Sequence, residues 1–113
     1  MANALVIYEG PGPLPVTANF QAPSDGDVVF VLAGTARTES AAILTGINLS
    51  IDGVQIGSPS LCWANQNENH LAMRPTFIPF EDLNFGEHTI TIQIAYSGTI
   101  TDQNDYFQVT LLY

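Results

Sequence analysis

The hydrophobic positions of this chain recur with a period of two. In His88-Thr-Ile-Thr-Ile-Gln-Ile-Ala-Tyr96, Ile90, Ile92 and Ile94 fall on one face and Thr89, Thr91 and Gln93 on the other. That alternation predicts a half-buried antiparallel strand. Tyr106–Tyr113 repeats it with Phe107, Val109, Leu111 and Tyr113, and Leu112 on the opposite face predicts burial there too. Asp27–Ala33 is more continuously apolar and reads as a central strand. Leu49-Ser-Ile-Asp-Gly-Val-Gln-Ile56 places Asp52-Gly53 between two alternating runs, a strong hairpin signal. Weaker strands are expected over Leu5–Tyr8, Val16–Phe20, Ser60–Trp63 and Thr76–Phe80.

Breakers separate these runs about every ten residues. Gly10-Pro-Gly-Pro-Leu-Pro15 excludes a helix or a mid-sheet strand. Pro23-Ser-Asp-Gly26 is a turn, and Pro75 and Pro79 suit an edge strand or a corner between sheets. Thr38–Gly46 is the one helical candidate. Around eight short strands with turns between them predict an all-β fold, an antiparallel β-sandwich of jelly-roll type, as one domain over residues 1–113. No repeat of 20–50 residues points to a solenoid or propeller.

Composition narrows the partners. The chain has 113 residues, eleven acids against Arg37 and Arg74, no lysine, and a formal net charge of −9. Nucleic-acid and anionic-lipid partners are excluded, because both are held mainly by Lys and Arg. The chain is expected to be soluble, without membrane insertion: no apolar run is long enough to span a bilayer, and Met1–Tyr8 lacks the basic residue of a signal peptide. Cys62, the single cysteine, sits between Leu61 and Trp63 and reads as a buried structural thiol. Asn48-Leu49-Ser50 matches a glycosylation acceptor, a pattern common by chance.

Edge strands without lysine need other protection, which proline or a closed assembly can supply. The chain is therefore expected to self-associate. Tyr106–Tyr113 can be a central strand of its own sheet or the lining of a subunit interface.

Gly86-Glu-His-Thr-Ile-Thr-Ile92 and Asp105-Tyr-Phe-Gln-Val-Thr-Leu-Leu-Tyr113 resemble the strand after the glycine turn and the closing strand of tumour-necrosis-factor/C1q-type jelly rolls. The resemblance covers the C-terminal third of the chain. It implies a compact homotrimer packed about a threefold axis, an architecture that includes bacterial trimeric lectins. Val29–Gly34 departs from the aromatic-glycine pattern of C1q domains, so no functional residue is carried over. Thr101-Asp-Gln-Asn-Asp-Tyr106 resembles the acidic calcium loop of small bacterial fucose-binding lectins. Calcium needs six to eight oxygens. Here Asp102, Asn104 and Asp105 can instead cap their own turn, so ligation and a plain turn stay open.

Trp63-Ala-Asn-Gln-Asn-Glu-Asn-His-Leu-Ala-Met-Arg74 has the composition of a sugar site. Amides and carboxylates pair with hydroxyls while an aromatic face packs on the C–H side of a sugar ring. The candidate residues are Trp63, Asn65, Asn67, Glu68, His70 and Arg74. A bland alternative is a solvated connection with Trp63 in the core and Arg74 paired to an acid.

Catalysis finds little support. There is no Gly-x-Ser-x-Gly elbow, and His70 and His88 lack zinc-site spacing. No cofactor or metal is expected. The sequence thus predicts a non-catalytic, lectin-like carbohydrate-binding protein acting as a homo-oligomer. The alternative is a structural or assembly unit with no small-molecule ligand.

Overall fold

The computed structural model describes residues 3–66 and 69–113. Nine strands follow one another: β1 (Ala4–Pro11), β2 (Val16–Ala22), β3 (Gly26–Ala36), β4 (Ile43–Ile51), β5 (Val54–Ala64), β6 (Leu71–Ala72), β7 (Thr76–Leu83), β8 (Gly86–Ile94) and β9 (Tyr106–Leu112). They form two antiparallel sheets. One has the order β1-β9-β3, with β6 and β7 both along the far side of β3; the other runs β2-β8-β4-β5. Apart from the β4–β5 hairpin and the β6–β7 pair, successive strands cross between the sheets, which gives the predicted jelly-roll sandwich.

The alternation explains the core. Phe30, Leu32, Phe107, Val109 and Leu111 project inward from one sheet to meet Ile47, Leu49, Ile90 and Ile92 from the other, all fully buried. Phe30 anchors the layer, with Phe20 and Phe80 edge-on to it at centroid distances of 6.1 and 5.8 Å. Asp52 (φ 49°) and Gly53 (φ 84°) form the two-residue turn between β4 and β5. Positive φ at both positions is what a type I′ hairpin requires.

Tyr106–Leu112 pairs on both sides, with β1 and β3, so the C-terminal segment is an interior strand of its own sheet. Three outer strands carry proline: Pro11 on β1, Pro59 on β5 and Pro79 on β7. Proline there removes donors that a neighbouring chain could use.

Two features that the sequence left open are decided by the fold. Thr38–Gly46 contains no helix: Ile43–Gly46 belongs to β4, paired with Leu61–Ala64, and the Thr38 hydroxyl accepts from Ser40 N at 3.2 Å. Cross-strand pairing and side-chain-to-backbone bonding together outweigh a weak helical propensity. The Asn48 acceptor pattern lies inside the sheet. Asn48 is only 9% exposed, and its Oδ1 is buried without a hydrogen-bond partner among the described residues.

A bulge shapes β5. Asn48 stands opposite the stretch between Ile56 and Ser60, and Gly57 (φ 62°) takes the left-handed turn that the extra residues need. A Cβ at Gly57 would press on Ile78 of β7 at 2.7 Å. The bulge therefore lays the second half of β5, which carries Trp63, close against the other sheet.

Candidate functional site

The second half of β5 forms one wall of an open cavity of about 640 Å³ at the side of the sandwich, where the two sheets meet. Pro59, Leu61, Cys62 and Trp63 line it from β5, Leu44 from β4, and Ala72, Met73, Arg74 and Thr76 from the β6–β7 segment. Two bonds hold the walls together. Arg74 N donates to Leu61 O at 3.2 Å, and the Ser60 hydroxyl bonds the Thr76 hydroxyl at 2.7 Å.

Trp63 pairs with Leu44 across the strands and stands on the outer face of its sheet, 69% exposed. It is not a core residue. Arg74 is exposed too, and no carboxylate among the described residues forms an ion pair with it. The cavity therefore offers an accessible indole face, apolar walls and a guanidinium. That combination can pack on one side of a ring and bond polar groups at its rim.

The structure brings together only part of the predicted set. Trp63 and Arg74 share the cavity. Asn65 is half-buried at the exit of β5, outside the lining, and the next backbone amide, Gln66 N, is tied to Ser40 O at 2.8 Å. Asn67 and Glu68 lie outside the described residues. His70 turns to another cluster: its Nδ1 is 2.6 Å from Asp105 Oδ1 and its Nε2 is 3.6 Å from Asp102 Oδ2.

Leu44, Pro59, Leu61, Ala72, Met73 and Thr76 also line the cavity, and sequence reasoning named none of them as site residues. They read as ordinary strand and linker residues, and no local signal marks which strands become lateral neighbours. Cys62, expected in the core, lines this cavity and is only half-buried.

Asp105 is the most buried carboxylate of the described residues. Its Oδ1 accepts from the Thr35 hydroxyl at 2.8 Å and faces His70, while its Oδ2 accepts from Asp102 N at 2.8 Å. Asp102 Oδ1 in turn accepts from Asn104 N at 2.8 Å. One oxygen or nitrogen from each of His70, Asp102 and Asp105 lies within 4.8 Å of the others, so these three could in principle hold a cation. The donors are already engaged, however, and the Arg37 guanidinium lies 3.8 Å from Asp102 Oδ2. This is the geometry of a turn locked by its own side chains.

His88 sits at the opposite end of the sandwich. Its ring stacks on Phe20 at 5.6 Å, Nδ1 meets Asp52 Oδ2 at 2.6 Å, and Nε2 donates to Asn84 O at 2.7 Å. The Asp52 hydrogen bond raises the His88 pKa, burial opposing it in part, and the same bond holds Asp52 below the usual carboxylate range. The two histidines thus serve separate aspartates at opposite ends.

The chain matches no protein-family model and no curated protein. Solved structures do resemble it. A family 35 carbohydrate-binding module from Clostridium thermocellum superposes with a TM-score of 0.55 at 11% identity, over 96% of this chain and 90% of that one. The C-terminal domain of EclA, a sugar-binding protein, gives 0.52 at 13% identity, over 96% and 76%. Dimeric latent PorU from Porphyromonas gingivalis gives 0.53 at 18% identity, over 96% of this chain but 11% of that protein. What is shared is the fold. It is an antiparallel β-sandwich, and among the described residues no helix is long and apolar enough to cross a membrane.

Proposed function

We propose that residues 1–113 act as one β-sandwich domain, a non-catalytic carbohydrate-binding module whose saccharide rests in the cavity between Trp63 and Arg74. The observation that carries this reading is the exposure of Trp63 at the cavity mouth, where a purely structural unit would bury its indole. Two of the similar folds belong to proteins described as carbohydrate-binding and sugar-binding, which supports the same reading. Trp63 is the chain's single tryptophan, so its fluorescence reports this site alone. Titration with a panel of mono- and oligosaccharides should quench or shift that emission, and Trp63→Ala should abolish retention on the glycans that do so. An indole that ignores every glycan would refute the reading.

Self-association, with the trimer that the tumour-necrosis-factor/C1q resemblance implies, fits the outer face of the five-stranded sheet. Val6, Thr110, Val31 and Phe77 stand side by side across four strands there, with Val6 47% and Phe77 64% exposed. Copies each carrying a net charge of −9 repel, so an uncharged row is where they can meet. The same row favours the second reading, an assembly unit without a ligand. That reading expects oligomers by light scattering together with an indole that sugars do not disturb.

A further inference from the structure

A second, smaller cavity of about 350 Å³ opens on the outer face of the five-stranded sheet. Ala33, Thr35, Pro75, Tyr106 and Gln108 line it, and it shares Ala72 and Met73 with the Trp63 cavity. The two hollows are therefore separated by one short stretch of backbone, residues 72–75. Buried Met73 lies beneath that stretch and Arg74 stands exposed on it.

The chemistry of the second hollow repeats that of the first. Tyr106 is 50% exposed, a second aromatic surface, and Gln108 supplies an amide beside it. Gln108 Nε2 donates to Glu9 Oε2 at 3.3 Å, and the same amide carries an oxygen that can accept. The placement of Tyr106 is firm. Its backbone N–H donates to Thr35 Oγ1 at 3.2 Å, and that hydroxyl is itself held by Asp105.

Register fixes the span. Ala72 on β6 and Tyr106 on β9 flank Thr35 of β3 on the same sheet face, two strand spacings apart, or roughly 10 Å. Trp63 lies beyond β6 on the far side of the ridge. One sugar ring cannot touch both aromatic residues.

Building on the Trp63 site, we propose that the ligand is an extended oligosaccharide that crosses the Ala72–Pro75 ridge, one end stacked on Trp63 and the other on Tyr106, with Arg74 bonding it at the crossing. The class of ligand is then the interior of a linear polysaccharide and not a single terminal sugar. Tyr106 is a binding residue for the far units only. It contributes nothing to a monosaccharide held at Trp63.

The test is chain length. Gluco-, xylo-, manno- and galacto-oligosaccharides of one to six units are titrated against Trp63 fluorescence in the parent chain, Tyr106→Ala and Tyr106→Phe. Within the series that binds, affinity should rise by roughly tenfold from the monomer to the longer members, the size of one added aromatic contact. Tyr106→Ala should erase that gain and leave the monosaccharide response unchanged, while Tyr106→Phe keeps both. Equal affinity for all lengths, or a gain that survives Tyr106→Ala, would overturn the bridge and leave the Trp63 site standing. A smaller particle mass for Tyr106→Ala by light scattering would assign Tyr106 to contact between copies and likewise overturn it. Silence of Trp63 toward all four series would remove the site itself.

Discussion

The imidazole of His88 and the carboxylate of Asp52 meet at 2.6 Å, so the start of β8 is tied to the tip of the β4–β5 hairpin 36 residues away. Asp52 Oδ1 adds a bond from Thr89 N at 2.9 Å, and Phe20 stacks beneath the ring. A carbonyl at Nε2 and a carboxylate at Nδ1 both require the ring nitrogens to carry hydrogen, which favours imidazolium.

That relationship gives stability a pH window. The pKa of His88 is raised, so its contribution is complete below the unfolded value of 6.5 and fades as pH climbs through the folded value. The pKa of Asp52 is lowered, so its contribution is complete above 3.8 and fades as pH falls through the folded value. The pair should stabilise most between those limits. Asp52 is well exposed, so the effect stays under about 1 kcal/mol. Urea melts from pH 3 to 9 should show a shallow maximum that Asp52→Asn flattens; identical curves for the two chains would disprove the coupling.

Trp63→Ala should separate binding from folding. The indole is largely in water, so its removal should change unfolding free energy by less than about 0.5 kcal/mol. Glycan retention in the same sample should vanish. A large drop in melting temperature would instead make Trp63 a packing residue.

Asp105→Ala should be costly. The change strands the Thr35 hydroxyl, His70 Nδ1 and the amide of Asp102, all partners of one buried carboxylate. Losing it should cost about 2–4 kcal/mol in denaturant titration. Since Thr35 also positions Tyr106, long oligosaccharides should bind more weakly to whatever fraction stays folded.

Gly34→Ala tests how tightly the two sheets mesh. A Cβ there would collide with the Phe107 ring and would sit 2.9 Å from Ile47 Cδ1, between the facing layers. Overpacking of this kind costs about 1–3 kcal/mol. Calorimetry should show a lower melting temperature with an unchanged far-ultraviolet spectrum at 20 °C.

Much of the site was legible as separate pieces. Trp63 and Arg74 stood out as the single indole and one of two cations within one polar stretch, and both line the cavity. His70 belonged to the same stretch, yet its partners Asp102 and Asp105 are more than thirty residues further on. Nothing local could join them. The acidic turn was readable as a turn because Asp and Asn bond their own backbone over two or three residues. Tyr106 looked like one more aromatic in an alternating strand until the end of β3 set it across from β6, with Thr35 between them.

The sequence by itself determined most of the strands, the Asp52-Gly53 hairpin and the inward faces, because pleat alternation and turn chemistry are properties of a few consecutive residues, while β6 and the first half of β4 carried no such pattern. Tertiary structure alone decided that β5 lies against the β6–β7 segment and that Tyr106 shares a sheet face with Ala72. Which strands become neighbours depends on how the two layers close over the whole core, and no short stretch of chain contains that information.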